Sequence, residues 1–110
     1  MSFSVEQAGT VTIVTVDGEL TVGNRGGLKE TVLGRLGGGD DTFLIDFSKT
    51  GYIDSSGLGV LVSLSKRIRE SGGRLRLAGL NQDLRTLFEL TKLDALFQIS
   101  ESRSAGLAEL

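Results

Sequence analysis

Apolar and polar residues alternate from Phe3 to Gln7, and Ala8-Gly9 offers a turn into the β-branched run Thr10–Val16. In that run Val11 and Ile13 are apolar and, after a change of register, so are Val14 and Val16; the two segments predict an N-terminal hairpin. Asp17-Gly18 is then expected to bend the chain into a short Glu19-Leu20-Thr21 stretch. From Asn24 the period changes. Leu28, Val32, Leu33 and Leu36 share one helical face, and Gly37-Gly38-Gly39 supplies the stop. Gly26 and Gly27 weaken the first turn of this helix by about 1 kcal/mol each relative to Ala.

Thr42–Phe47 is a short, nearly continuous apolar run, the pattern of a strand covered on both faces. Ser48–Ile53 reads as a loop. A second helix is expected from Ser56 or Gly57 to Ser71, with Leu58, Leu61, Val62, Leu64 and Ile68 on its apolar face and Gly72-Gly73 ending it. Leu75, Leu77 and Ala78 mark a strand. Asn81 is placed to cap a helix whose stripe is Leu84, Leu87, Phe88 and Thr91. Phe97–Ser100 reads as a last short strand and Ser104–Leu110 as a terminal helix. Strands alternating with helices imply right-handed crossovers and a parallel portion of sheet, while the opening hairpin adds antiparallel pairing. The expected architecture is one α/β domain over residues 1–110, with a mixed central sheet of four to five strands.

Composition narrows the chemistry. The 110 residues contain no Cys and no His, so disulfides, thiolate nucleophiles, imidazole bases and imidazole metal ligands are all excluded. The formal net charge of −2 argues against a broad electrostatic grip on nucleic acid. Lys66, Arg67, Arg69, Arg74 and Arg76 form a basic cluster, but no aromatic interleaving supports base stacking, and a solvated helix end followed by a strand accounts for it. Asp40, Asp41 and Asp46 lack metal-site spacing, and Gly37-Gly38-Gly39 is followed by Asp rather than the Lys of a P-loop. No cofactor is assigned. No apolar run approaches a membrane span, and the first ten residues lack the pattern of a signal peptide, so a cytoplasmic protein is expected.

The most distinctive segment is Ile45–Val60, in which a buried strand leads through Asp54-Ser55-Ser56 into a helix beginning Gly57-Leu58-Gly59. Two readings of Asp54, Ser55 and Ser56 stand side by side. Asp and Ser are ordinary helix caps worth about 1 kcal/mol. An exposed serine here is also a phosphorylation acceptor, and the phosphate would add about −1.5 to −2 charges beside Asp54. An enzyme built on Ser55 would need Lys49 to activate it, and that reading is set aside.

The segment Asp54-Ser55-Ser56-Gly57-Leu58-Gly59, with the strand Phe43–Phe47 before it and Gly18-Glu19-Leu20 upstream, resembles the STAS domain of bacterial anti-sigma factor antagonists. The resemblance covers nearly the whole chain. It implies a partner switch rather than an enzyme. The unphosphorylated antagonist binds an anti-sigma factor that is also a serine kinase, which frees a sigma factor; phosphorylation releases the antagonist, and a serine phosphatase restores it. The acceptor implied is Ser55, with Asp54, Ser56, Gly57, Leu58, Gly59, Thr21 and Asn24 at the partner surface and the glycines admitting a close approach. A monomer is expected. The family's usual Gly-Glu-Leu-Asp is Gly-Glu-Leu-Thr here, so Thr21 lacks a negative charge beside the site, and Arg25 adds a cation. The alternative is a STAS subunit of a transporter or signalling complex that uses the fold without phosphorylation.

Overall fold

A computed structural model describes residues 2–110. Its strands are β1 (Ser2–Ala8), β2 (Val11–Leu20), β3 (Thr42–Ile53), β4 (Arg74–Ala78) and β5 (Gln98–Ser100), and its helices are α1 (Arg25–Gly37), α2 (Ser55–Glu70), α3 (Gln82–Leu90) and α4 (Arg103–Ala108). The sheet runs in sequence order, β1-β2-β3-β4-β5. Only β1–β2 is antiparallel; the other three pairs are parallel, so α1, α2 and α3 lie in the crossovers between them. Gly9, at φ +62°, makes the two-residue hairpin turn that brings Ala8 opposite Val11.

Three sequence expectations are corrected. The change of register expected between Ile13 and Val14 does not occur, because every residue from Val11 to Val16 is buried and β2 is covered on both faces. Asp17-Gly18 is no turn: β2 continues to Leu20, with irregularities in its pairing to β3 at Thr15/Asp17 and at Gly18/Glu19, and Gly18 takes φ +108°. Ser48–Ile53 is no loop but the second half of β3, paired with β2 as far as Leu20 opposite Ile53. These bulges replace the two-residue alternation with burial at Phe47, Thr50 and Ile53, so the segment carries no strand pattern in its sequence. The Thr50 hydroxyl donates to the Val16 carbonyl at 2.6 Å and fills the gap left by the irregular ladder.

The larger core joins Val14, Val16, Phe43, Ile45 and Leu77 of the sheet to Leu28 and Val32 of α1, Leu61, Leu64 and Ile68 of α2, and Leu84 and Phe88 of α3. Val60 is buried in α2 where Val62 was expected. The stripe centres on Leu61, Leu64 and Ile68, and Val62 sits on its exposed shoulder. As the sequence suggested, Asn81 caps α3, its Oδ1 accepting from the Leu84 N–H at 2.8 Å. Its Nδ2 also donates to the Thr50 carbonyl, tying that helix to β3. Lys66, Arg67 and Arg69 lie exposed on the last turns of α2, while the two arginines of β4 are tied to other elements. Arg76 bonds Ser100 and Gln98 of β5, and Arg74 bonds the Leu110 carbonyl.

The opposite sheet face carries a smaller core, Val11, Ile13, Leu44 and Ala78, which Leu107 and Leu110 help to cover. Its polar end is closed by Arg103 at the start of α4. Arg103 donates to Asp46 Oδ2 at 3.0 Å, to Thr15 Oγ1 at 2.8 Å and to Glu6 Oε1 at 2.8 Å, joining three strands to the helix. Burial alone would raise the Asp46 pKa, but the Ser48 backbone N–H and hydroxyl, with the bonds and charge of Arg103, outweigh it and hold the carboxyl below its usual 3.8. Because the folded value is depressed, the carboxylate's contribution is complete above the unfolded pKa and is lost as pH falls through the folded one. Arg103→Met should therefore cost about 2 kcal/mol near neutral pH. Urea unfolding should show that cost shrinking once the pH drops below about 4, where Asp46 of the unfolded chain begins to take up a proton that the folded carboxylate still refuses.

Candidate functional site

The extended β2–β3 pairing ends with Leu20 opposite Ile53, so the segments that follow, 21–24 and Asp54, leave the sheet side by side. Asp54 fastens them together. Its N–H donates to the Leu20 carbonyl at 3.1 Å. One carboxylate oxygen accepts from the Gly57 N–H at 2.8 Å, capping α2, and the other accepts from the Val22 N–H at 3.2 Å. A single side chain thus satisfies an orphan donor of the helix and fixes the neighbouring loop.

Asn24 does the same for the loop itself. It stands before α1 but makes no side-chain cap. Instead its Oδ1 accepts from the Thr21 N–H at 2.9 Å, and its Nδ2 donates to the Glu19 carbonyl at 2.8 Å. The Thr21 carbonyl in turn receives the N–H groups of Asn24 and Arg25. Thr21 therefore shapes the loop through its backbone, and its half-buried side chain stands beside Gly23. The loop is held in shape by local bonds before any partner arrives.

The residues of the Asp54–Gly59 segment divide by exposure. Ser55 and Gly59 are exposed and Ser56 is half-buried, so a partner or a modifying enzyme can reach them. Gly57 and Leu58 are buried, which corrects their place at a partner surface. A Cβ on Gly57 would lie 2.6 Å from the Leu20 carbonyl oxygen and 2.8 Å from Ile53 Cγ2. The close approach this glycine permits is internal, between the start of α2 and the end of β2. Leu58 belongs to the core.

Beside these residues stand two exposed apolar side chains that the sequence reading did not select, Val22 at 64% and Tyr52 at 53% exposure. Both follow from the extended strand pairing: Tyr52 sits opposite Glu19 near the end of β3, and Val22 is in the loop that Asp54 holds. Tyr52, the chain's one tyrosine, was the available signal, but a segment read as loop gave no face on which to place it.

Comparison with known proteins identifies the family and the fold. Residues 2–105 match the STAS domain, and the chain belongs to that family. It is 33% identical over 94 residues to the anti-sigma-B factor antagonist of Bacillus subtilis, covering 86% of this chain and 85% of that one. The crystal structure of a candidate anti-sigma factor antagonist from Thermotoga maritima matches with a TM-score of 0.92 at 30% identity, over 97% of this chain and 92% of that one. The unphosphorylated anti-sigma factor antagonist SpoIIAA shares the fold, with a TM-score of 0.76 at 16% identity over 98% of this chain and 96% of that one.

The two glycines of the segment should respond oppositely to a methyl group. Gly57→Ala forces α2 away from the Leu20 carbonyl and should destabilise the fold by about 1–3 kcal/mol. Gly59→Ala meets nothing within 4 Å and gains helix propensity, so it should be neutral or stabilising by up to about 1 kcal/mol. Urea denaturation of the two variants checks the contrast.

Proposed function

We propose that this protein is an anti-sigma factor antagonist whose hold on its partner is switched at Ser55. Unmodified, it binds an anti-sigma factor that is also a serine kinase and so frees a sigma factor in the cytoplasm. The kinase transfers the γ-phosphoryl group of ATP to Ser55 Oγ. The P–O bond to ADP breaks, ADP leaves, and the hydroxyl proton passes to a base on the kinase. A serine phosphatase reverses the change by hydrolysis.

The observation that carries this reading is the exposure of Ser55 at the first position of α2, next to an Asp54 whose carboxylate is already engaged by two backbone N–H groups. A phosphate added there changes the surface charge by about −1.5 to −2 and leaves the buried contacts of Gly57 and Leu58 in place. Such a modification acts on a partner surface without unfolding the protein that bears it. Family membership and the named relatives support the regulatory role. Val22 and Tyr52 extend the surface beside Ser55 and supply the apolar contacts that a charged rim alone lacks.

The test is binding and phosphorylation with the anti-sigma kinase of the same organism. Ser55→Ala should lose phosphoryl acceptance, read by intact-mass spectrometry, and keep its affinity, because it removes only a small exposed hydroxyl. Ser55→Asp should weaken binding about tenfold or more, equivalent to roughly 1.4 kcal/mol. Phosphorylation at another serine, or equal affinity of Ser55→Asp and wild type, would defeat the switch. Capture of a transporter or signalling scaffold by both forms would favour a STAS subunit that works without phosphorylation.

A further inference from the structure

Helices α1 and α2 leave between them an open groove of about 590 Å³ that the switch itself does not explain. From α1 it is lined by Arg25 and Lys29, four residues apart and therefore on one face of the helix. From α2 it receives the hydroxyls of Ser55, Ser56 and Ser63. Gly26 and Gly59 leave it room, and no carboxylate lines it. The ion pairs among the described residues are Arg35–Asp40, Arg103–Glu6 and Arg103–Asp46, so neither groove cation is neutralised by a neighbour.

We infer that this groove is the seat of the phosphate carried by Ser55, with Arg25 and Lys29 as its counter-charges. This rests on Ser55 being the modified residue, as proposed above. The direction follows from the charges on either side of Ser55. On one side stands the Asp54 carboxylate, fixed by the Gly57 and Val22 N–H groups and unable to turn away. On the other lie two unpaired cations. A phosphate dianion on Ser55 Oγ is driven from the first toward the second, where Arg25 can bond two of its oxygens and Lys29 adds a point charge. Phosphorylation then does two things to the partner surface. It adds negative charge, and it consumes the two cations that the unmodified protein offers to an acidic partner. It also ties the first turns of α1 to the start of α2.

The experiment uses full-length protein with phosphoserine installed at position 55 during translation, so the result does not depend on any kinase. The second ionisation of the phosphate is followed by phosphorus NMR. Seated between the two cations, it should titrate below the usual value of about 6. In the Arg25→Gln/Lys29→Gln double variant the midpoint should rise by roughly half a unit or more. Lys66→Gln/Arg67→Gln, which removes two cations elsewhere, should leave it in place. Both cations are exposed, and circular dichroism verifies the fold of each variant; the Arg25→Gln and Lys29→Gln single variants give the same reading should the double variant unfold. Identical midpoints in folded wild type and double variant would overturn the inference. So would an unshifted phosphoserine together with saturable binding of inorganic phosphate to the groove of unmodified protein, which would assign the groove to a diffusible phosphate. Failure of the kinase to modify Ser55 would defeat the switch, whereas an unshifted midpoint on installed phosphoserine would defeat the groove.

Discussion

The parallel pairing of β2 with β3 is carried through two bulges to Leu20 opposite Ile53, and the site depends on it. A regular ladder ending near Phe47 would release the two chains at different heights, with residues 48–54 as loop before α2. The bulged extension delivers them together at the carboxyl edge of the sheet, the edge at which open α/β sheets meet their ligands and partners. It needs particular residues: Gly18 accepts a positive φ, Thr50 bonds across the irregularity to Val16, and Phe47, Thr50 and Ile53 turn inward at a spacing that suits a twisted, bulged strand.

On that platform the site has a rigid base and an exposed rim. The base consists of Gly57 pressed against the Leu20 carbonyl, Leu58 in the core, and the two side chains, Asp54 and Asn24, that spend their polar atoms on backbone groups. The rim consists of Ser55, Gly59, Val22 and Tyr52. Such a division suits a surface read by a partner. Interfaces gain affinity when little has to be ordered on binding, and a charge placed on the rim changes association without disturbing the packing below. The Arg103 clamp lies apart from this, binding α4 to Glu6, Thr15 and Asp46 and closing the smaller core of the opposite face.

Local pattern made much of this legible. The amphipathic stripe of Leu28 and Val32, the apolar run of β3's first half, the Asn81 cap and the glycine stops depend on neighbours within a turn or two, and each is found where the sequence placed it. The Asp54-Ser55-Ser56 junction was also marked, because a strand running into a helix through Asp and Ser is a local arrangement. The alternation of strand and helix carried the fold class, and the Asp54–Gly59 segment carried the STAS resemblance that residues 2–105 bear out.

Tertiary structure decided whatever depends on a distant strand. Nothing within residues 48–53 shows that they extend a strand, since their pairing belongs to Asp17–Leu20, some 30 residues earlier, and the bulges erase the alternation that would have announced it. Gly57 shows the same limit. Its sequence context is that of an exposed helix start, and only the Leu20 carbonyl, brought across by that pairing, makes it a packing residue. Arg25 could be read from the sequence as a cation near the site, but only when α2 is laid beside α1 do Arg25 and Lys29 line one groove with Ser55. The sequence by itself determined most of the helices and strands and the strand-to-helix junction at Asp54-Ser55-Ser56, because those are properties of short-range periodicity and capping. Which of the neighbouring residues stay exposed, which face the core and which cations line a groove with the serine was decided by long-range register, which no local pattern encodes.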